Sequence, residues 1–86
     1  MTRPKLSALT ASGELLAKMP LIEIAGQKRV LIENHQGVLA YSTEEICIKV
    51  NYGKISVTGC DLHILQISSE QLIIGGQISG LRLLGR

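Results

Sequence analysis

The sequence predicts an all-β domain: an antiparallel meander of about eight short strands, curled into a small roll, barrel or sandwich and preceded by a short N-terminal helix. Two observations predict the sheet. After Pro20, aliphatic residues recur with a period of two, which is typical of strands with one buried face. Stretches rich in Gly, Asn and Ser separate these runs, and such residues form tight turns.

The chain has 86 residues, enough for one domain with its own core. We expect residues 1–11 to be a flexible N-terminal segment and residues 12–86 to form a single β domain that includes the short helix. Apolar residues make up 45% of the sequence without any Phe or Trp, so the core is expected to be aliphatic. A domain of this size buries only about 60% of its unfolded surface, which favours a homo-oligomer.

The N-terminal helix is predicted from Ser12 to Met19. Ser12 is a suitable N-cap, Glu14 lies near the positive end of the helix dipole, and Pro20 ends the helix. One side of this helix carries three apolar side chains, those of Leu15, Leu16 and Met19. Because a helix of about eight residues is not stable alone, we expect this side to pack against the sheet or a partner.

The eight predicted strands are each marked by alternating apolar residues: Ile22 and Ile24; Val30 and Ile32; Val38 and Ala40; Ile46, Ile48 and Val50; Ile55 and Val57; Leu62 and Ile64; Leu72 and Ile74; Leu81 and Leu83. The expected turns are 26–27, 35–37, 42–44, 51–53, 59–61, 68–69 and 75–76. Since loops this short join antiparallel neighbours, consecutive strands are expected to pair as hairpins.

Several residues on the opposite face of these strands are also apolar, namely Leu31, Leu39, Leu65, Ile67 and Ile73. Both faces of some strands are therefore expected to be covered, which favours a closed roll, a sandwich or an oligomer. We predict Leu39 and Ile73 as interface residues, together with the helix residues Leu15, Leu16 and Met19.

Charge and aromatic content disfavour a nucleic-acid partner. Nine Lys and Arg against seven Asp and Glu give a formal net charge of +2, which is too small to indicate nucleic acid. Tyr41 and Tyr52 are the only aromatic residues, too few for a surface on which bases stack. A small barrel that binds a ligand or nucleic acid is kept as the alternative function. No stretch approaches the roughly 18 to 20 apolar residues that span a bilayer, so no membrane span is expected.

The residues that most resemble a chemical site are Glu33, Asn34 and His35, just before Gly37. A carboxylate and an imidazole could bind a metal or act as an acid–base pair. However, Glu33 and Asn34 face opposite sides of an extended strand, and one His with one acid falls short of a zinc ligand set. We favour turn chemistry for Asn34 and His35 and keep a metalloenzyme around His35 and His63 as a third hypothesis.

Other chemistry is poorly represented. The sequence has no Gly-x-Ser-x-Gly elbow and no phosphate-binding glycine loop, and the pair Glu44–Glu45 is expected to be solvated. Cys47 and Cys60 are expected to be reduced thiols, as in a cytosolic protein. We therefore predict no catalytic residue, no cofactor and no metal.

Four runs carry a resemblance to a known family: 21–26, 29–37, 41–46 and 48–59. Their most specific part is Ile32-Glu33-Asn34-His35-x-Gly37. On these runs the chain resembles the YabP/YqfC family of sporulation proteins, in its YqfC-like branch, over roughly residues 14–84. The chain departs from the family pattern at the extra Gly80 and at its ending, residues 83–86.

The resemblance implies a role in spore development. Members of this family are made in the mother cell of endospore-forming bacteria, are usually encoded beside a larger membrane protein, and have no attributed enzymatic activity. It therefore implies a noncatalytic structural or assembly module whose partner is that membrane protein. The expected location is the mother-cell cytoplasm, extending to the membrane that surrounds the forespore.

Overall fold

A computed structural model describes residues 19–85 of the chain. These residues form six strands: β1 (Leu21–Ala25), β2 (Arg29–Glu33), β3 (His35–Tyr41), β4 (Glu45–Val50), β5 (Gly53–Ile67) and β6 (Gln71–Gly85). The all-β class is confirmed. The described residues contain no helix, and the predicted helix, apart from Met19, lies outside them. Met19 lies in a bend before β1.

All six strands belong to one antiparallel sheet with the order β1-β2-β6-β5-β4-β3. The prediction of a simple meander was wrong, because β6 inserts between β2 and β5. The expected turn at 35–37 was also wrong. Asn34, with a φ of 65°, turns the chain at a single residue, and β3 begins immediately at His35. β2 and β3 do not form a hairpin, because they are not neighbours in the sheet. The sheet is open, with β1 and β3 at its edges.

Six strands replace the predicted eight because two expected turns lie inside the long strands β5 and β6. The register between these strands shifts after Thr58 and after Cys60, and Asp61 adopts a φ of 55°. Gly59 is needed there because a Cβ atom at this position would overlap the carbonyl oxygen of Gln77. The glycines at 59, 75 and 76 thus permit irregular strand pairing and close approach, not chain reversal.

The long strands β5 and β6 connect two halves of the sheet. β2 pairs with residues 71–75 of β6, whereas β4 pairs with residues 53–58 of β5. Buried side chains from both halves form one aliphatic core: Val30, Ile32, Ile46, Ile48, Val50, Ile55, Val57, Leu62, Leu72, Ile74 and Ile78. The sheet therefore curves enough for both halves to share this core, and the prediction of an aliphatic core is confirmed.

The remaining turns lie close to where the sequence placed them. Gly26, with a φ of 57°, opens the turn before β2, and Tyr52, with a φ of 72°, lies in the turn before β5. The turns before β4 and β6 use the same chemistry: the hydroxyl oxygens of Ser42 and Ser68 each accept backbone N–H groups two and three residues further on. Serine side chains of this kind stabilise tight turns.

Candidate interaction surface

The signature residue His35 connects two distant parts of the chain. The backbone N–H of Gly37 donates to its Nδ1 at 3.1 Å, so the ring hydrogen is on Nε2. Nε2 lies 2.8 Å from the carbonyl oxygen of Ser68, to which it donates. The imidazole therefore ties the start of β3 to the turn between β5 and β6. Both ring nitrogens are engaged by backbone groups.

Asn34 and Glu33 complete this corner of the fold. The Nδ2 of Asn34 donates to the carbonyl oxygen of Met19 at 2.8 Å, and its backbone N–H donates to the carbonyl oxygen of Glu70 at 2.7 Å. Oε2 of Glu33 accepts a hydrogen bond from Nε2 of Gln71 at 3.4 Å. Glu33 and Glu70 line a shallow polar depression at this corner. Asn34 and His35 of the signature thus hold neighbouring backbone segments in place. Ile32, its apolar residue, lies in the core.

The other prominent surface is the sheet face that points away from the core in the half formed by β1, β2, β6 and β5. Leu31 and Ile73 are paired across β2 and β6, and both are half-buried. They alternate along their strands with the fully buried Ile32, Leu72 and Ile74, so they lie on the opposite face.

Leu65 extends this face across β5. A Cβ atom at Gly75 would lie 2.8 Å from Cδ1 of Leu65 and 3.4 Å from Nε2 of His63, so both side chains lie over that glycine. Leu65 is nevertheless 46% exposed. We call Leu31, Leu65 and Ile73 the outer apolar patch. The absence of a side chain at Gly75 makes room for the side chain of Leu65.

Charged side chains flank the outer apolar patch. Glu23 of β1 is opposite Leu31, and Arg29 and Glu33 stand two residues before and after Leu31 on the same face of β2. Glu23, Arg29, Leu31 and Ile73 line an open depression of about 390 Å³ together with Ile24 and Ala25. The patch is thus an apolar floor with Arg29 at one end along β2, Glu33 at the other end, and Glu23 beside it on β1.

Among the predicted interface residues that the structure describes, Met19, Leu39 and Ile73 lie in different parts of the fold. Leu15 and Leu16 lie outside the described residues. Met19 is half-buried near the Asn34 corner, and Leu39, 54% exposed, lies at a register shift in the edge strand β3. Of the three that the structure describes, Ile73 alone lies in the outer apolar patch, and β5 and β4 separate its strand from β3. Sequence alternation identified Leu31 and Leu65 as apolar on the opposite face. Arg29 and Glu33 could have been assigned to that face by the same alternation, whereas the position of Glu23 beside Leu31 requires the pairing of β1 with β2.

The His, Cys and Glu side chains that the sequence offered as candidates for metal binding or catalysis do not form a common site in the described residues. His63 Nδ1 interacts only with the carbonyl oxygen of its neighbour Asp61, at 3.0 Å, among the hydrogen bonds of the described part of the chain. Within residues 19–85, His, Cys, Asp and Glu form no group of three or more that could hold a metal ion. Cys47 is half-buried and Cys60 is exposed, and both are free thiols. Glu45 is engaged structurally: its Oε2 accepts a hydrogen bond from the buried hydroxyl of Ser56 at 2.6 Å.

The part of the chain from Met19 to Gly85 offers no helix with the length and apolar character that crossing a membrane requires.

These residues define an all-β domain built on one open antiparallel sheet, with a hydrogen-bonded corner and an exposed apolar patch on one face. The model of the YabP family matches residues 17–86, most of the sequence, and the chain belongs to that family. It is also similar to the uncharacterized protein YqfC of Bacillus subtilis (strain 168), with 28% identity over 75 residues, which cover 87% of this chain and 81% of YqfC.

Proposed function

We propose that this chain is a noncatalytic structural or assembly module of spore development, acting in the mother cell through contact with a membrane protein. Membership of the YabP family supports the cellular setting, because the family resemblance implies a sporulation role. The observation that carries the proposal is the outer apolar patch, in which aliphatic side chains occupy the second face of a sheet whose first face already forms the core.

The physical reason is that apolar surface gains free energy when it is removed from water, by about 25 cal/mol per Å². Contiguous patches of this kind on soluble proteins usually mark interaction sites. The side chains of Asn34 and His35, in contrast, bond to the chain's own backbone. The outer apolar patch therefore suits contact with another protein better than it suits a catalytic role.

The test is co-purification from sporulating cells. A tagged copy of the chain is isolated, and its recovery of the membrane protein that the family resemblance implies is encoded nearby is compared with the recovery by Ile73→Lys. A charge in the outer apolar patch should reduce recovery by about tenfold or more, since burying an unpaired charge in an interface is strongly unfavourable. Unchanged recovery with a folded Ile73→Lys variant would reject the patch as the contact surface.

Two matched controls separate binding from folding. Leu39→Lys places the same charge on an exposed apolar residue of β3 outside the patch, and recovery should be unchanged. Ile74→Lys changes the neighbouring residue on the core face, which is fully buried, and should unfold the domain. Circular dichroism should show that Ile73→Lys and Leu39→Lys retain the β-sheet spectrum whereas Ile74→Lys loses it. If Ile73→Lys also unfolds, Leu65→Lys replaces it, because Leu65 is 46% exposed.

A further inference from the structure

We propose that the part of the membrane protein that contacts the outer apolar patch carries Lys or Arg next to its apolar residues. This inference rests on the proposed function and specifies the chemistry of the single partner that covers the patch. The observation behind it is the pair of carboxylates, those of Glu23 and Glu33, that stand beside the apolar floor on the same face of the sheet.

The two carboxylates are close neighbours. Glu23 is opposite Leu31 in the pairing of β1 with β2, and Glu33 lies two residues after Leu31. Residues opposite one another, and residues two apart on one strand, project from the same face of a sheet. Glu23 and Glu33 are therefore diagonal neighbours, with Cα atoms roughly 7 to 8 Å apart. One basic side chain of a partner can reach both of them.

Negative charge predominates around the patch. Glu70, in the turn before β6, lines the same polar depression as Glu33 and adds a carboxylate at that end. Arg29 is the basic residue that lines the depression over the patch, and it lies four residues from Glu33, roughly 13 Å along the strand. Lys28, although next to Arg29 in sequence, lines a different depression. Acids therefore outnumber bases at the rim of the apolar floor.

Both carboxylates keep their charge available for a partner. Oε2 of Glu33 accepts a hydrogen bond from the neutral amide of Gln71 at 3.4 Å, a long bond that leaves the charge in place. Glu23 is exposed, so water solvates its carboxylate in the free chain. A partner that covers Leu31 and Ile73 displaces water from beside both carboxylates.

A basic group on the partner compensates for that loss of water. Removing water from a carboxylate is costly unless an opposite charge or a hydrogen-bond donor replaces it. Lys and Arg supply both, and the Arg guanidinium can donate two parallel bonds to one carboxylate. An acidic partner would bring like charges together, and a purely apolar one would leave Glu23 and Glu33 without compensation. The patch and its rim therefore fit a segment in which apolar and basic residues are adjacent.

Membrane proteins have segments of this composition on their cytoplasmic side. Lys and Arg are enriched there in the short loops close to the ends of transmembrane helices. Basic residues in such loops follow apolar residues closely in the sequence. The acidic rim of the patch is therefore the charge complement that contact with a membrane protein from the cytoplasm requires.

The experiment is the recovery of the membrane protein from sporulating cells by charge-neutral variants of the full chain. Glu23→Gln combined with Glu33→Gln keeps the size of both side chains and should reduce recovery by about tenfold, because the basic segment loses its compensating charges. Arg29→Gln removes a like charge and should recover at least as much as wild type. Glu44→Gln, in the turn before β4, is the control and should match wild type.

Two results would overturn the inference. One is wild-type recovery by the folded double variant, which would show that the carboxylates do not contribute. The other is a loss with Arg29→Gln as large as the loss with the double variant, which would show that the partner is not basic. Circular dichroism establishes that each variant keeps the β-sheet spectrum.

A second comparison leaves Glu23 and Glu33 unchanged and covers the case in which the double variant unfolds. Leu65→Lys and Leu65→Glu place opposite charges at one point of the patch, and Leu65 is 46% exposed, so both variants are expected to fold. A basic segment is repelled by Lys and attracted by Glu. Leu65→Glu should therefore recover at least about threefold more membrane protein than Leu65→Lys. Equal recovery, or less with Leu65→Glu, would overturn the inference.

Failure of this inference and failure of the proposed function have different results. If Ile73→Lys reduces recovery but the carboxylate variants recover as much as wild type, the patch is the contact surface and the basic segment is rejected. If folded Ile73→Lys recovers as much as wild type, the patch itself is rejected as the contact surface, whatever the carboxylate variants do.

Discussion

His35 donates a hydrogen bond from Nε2 to the carbonyl oxygen of Ser68, 33 residues further along the chain, at 2.8 Å. This bond joins the start of an edge strand to the turn between the two longest strands. Because His35 also accepts the Gly37 N–H, one side chain satisfies two backbone groups. His35, a residue of the family signature, thus has a structural role that is measurable in the folding equilibrium.

Replacing His35 with Ala should lower the free energy of unfolding by about 1–3 kcal/mol, since two hydrogen bonds to backbone groups are lost. His63→Ala is the matched control. His63 is exposed and bonds to a carbonyl two residues away, so its replacement should cost less than about 0.5 kcal/mol. Urea denaturation followed by circular dichroism gives both values. Equal effects of the two replacements would contradict the assigned role of His35.

Asn34 should show separable backbone and side-chain contributions. Its φ of 65° favours Asn or Gly, and its Nδ2 bonds to the carbonyl oxygen of Met19. Asn34→Gly keeps the turn but loses the side-chain bond, whereas Asn34→Ala loses both. We expect Asn34→Ala to be the less stable variant by about 1 kcal/mol in chemical denaturation. If Asn34→Gly is as unstable as Asn34→Ala, the backbone conformation is not what selects this residue.

Gly59 should tolerate no side chain. A Cβ atom there would overlap the carbonyl oxygen of Gln77, a backbone atom that cannot rotate away. Gly59→Ala should therefore destabilise the domain by about 2 kcal/mol or more. Gly85→Ala is the control, because a Cβ at Gly85 would meet no atom within 4 Å. Thermal unfolding of both variants tests the prediction, and a Gly59→Ala variant as stable as Gly85→Ala would contradict the close approach of β5 and β6.

Removing either partner of the hydrogen bond between Ser56 and Glu45 should destabilise the domain by a different amount. Ser56 is only 3% exposed, and its hydroxyl donates to Oε2 of Glu45. Glu45 itself is exposed. Glu45→Ala leaves a buried hydroxyl without its acceptor and should cost about 1–2 kcal/mol, whereas Ser56→Ala leaves a carboxylate that water can solvate and should cost less. Glu44→Ala in the adjacent turn controls for loss of charge. If chemical denaturation shows a larger loss of stability for Ser56→Ala than for Glu45→Ala, this account is contradicted.

The sequence predicted most of the strands between Ile22 and Val57, because one face of each is apolar with a period of two. It misjudged Gly59 and Gly75–Gly76 because glycine serves both turns and close packing, and these uses look alike without the neighbouring strand. The same limit applies to Asn34, whose positive φ was expected inside a hairpin but instead separates two strands that do not pair.

The candidate surface was predictable only in part. Ile73 was identified from alternation, but its grouping with Leu31 and Leu65 depends on β6 lying between β2 and β5. The partner of His35 is a backbone carbonyl, which carries no side-chain signal in the sequence. Long-range order of the strands, rather than local pattern, therefore decides which residues share the outer apolar patch.

The central claim is that the outer apolar patch is covered by protein in the cell. Maleimide labelling of Ile73→Cys, with Cys47 and Cys60 replaced by Ser, measures this directly in permeabilised sporulating cells against the purified, highly diluted chain. We predict that position 73 is labelled at least about tenfold more slowly in cells, whereas Leu39→Cys is labelled at similar rates in both. Equal labelling of position 73 in cells and in dilute solution would contradict the claim.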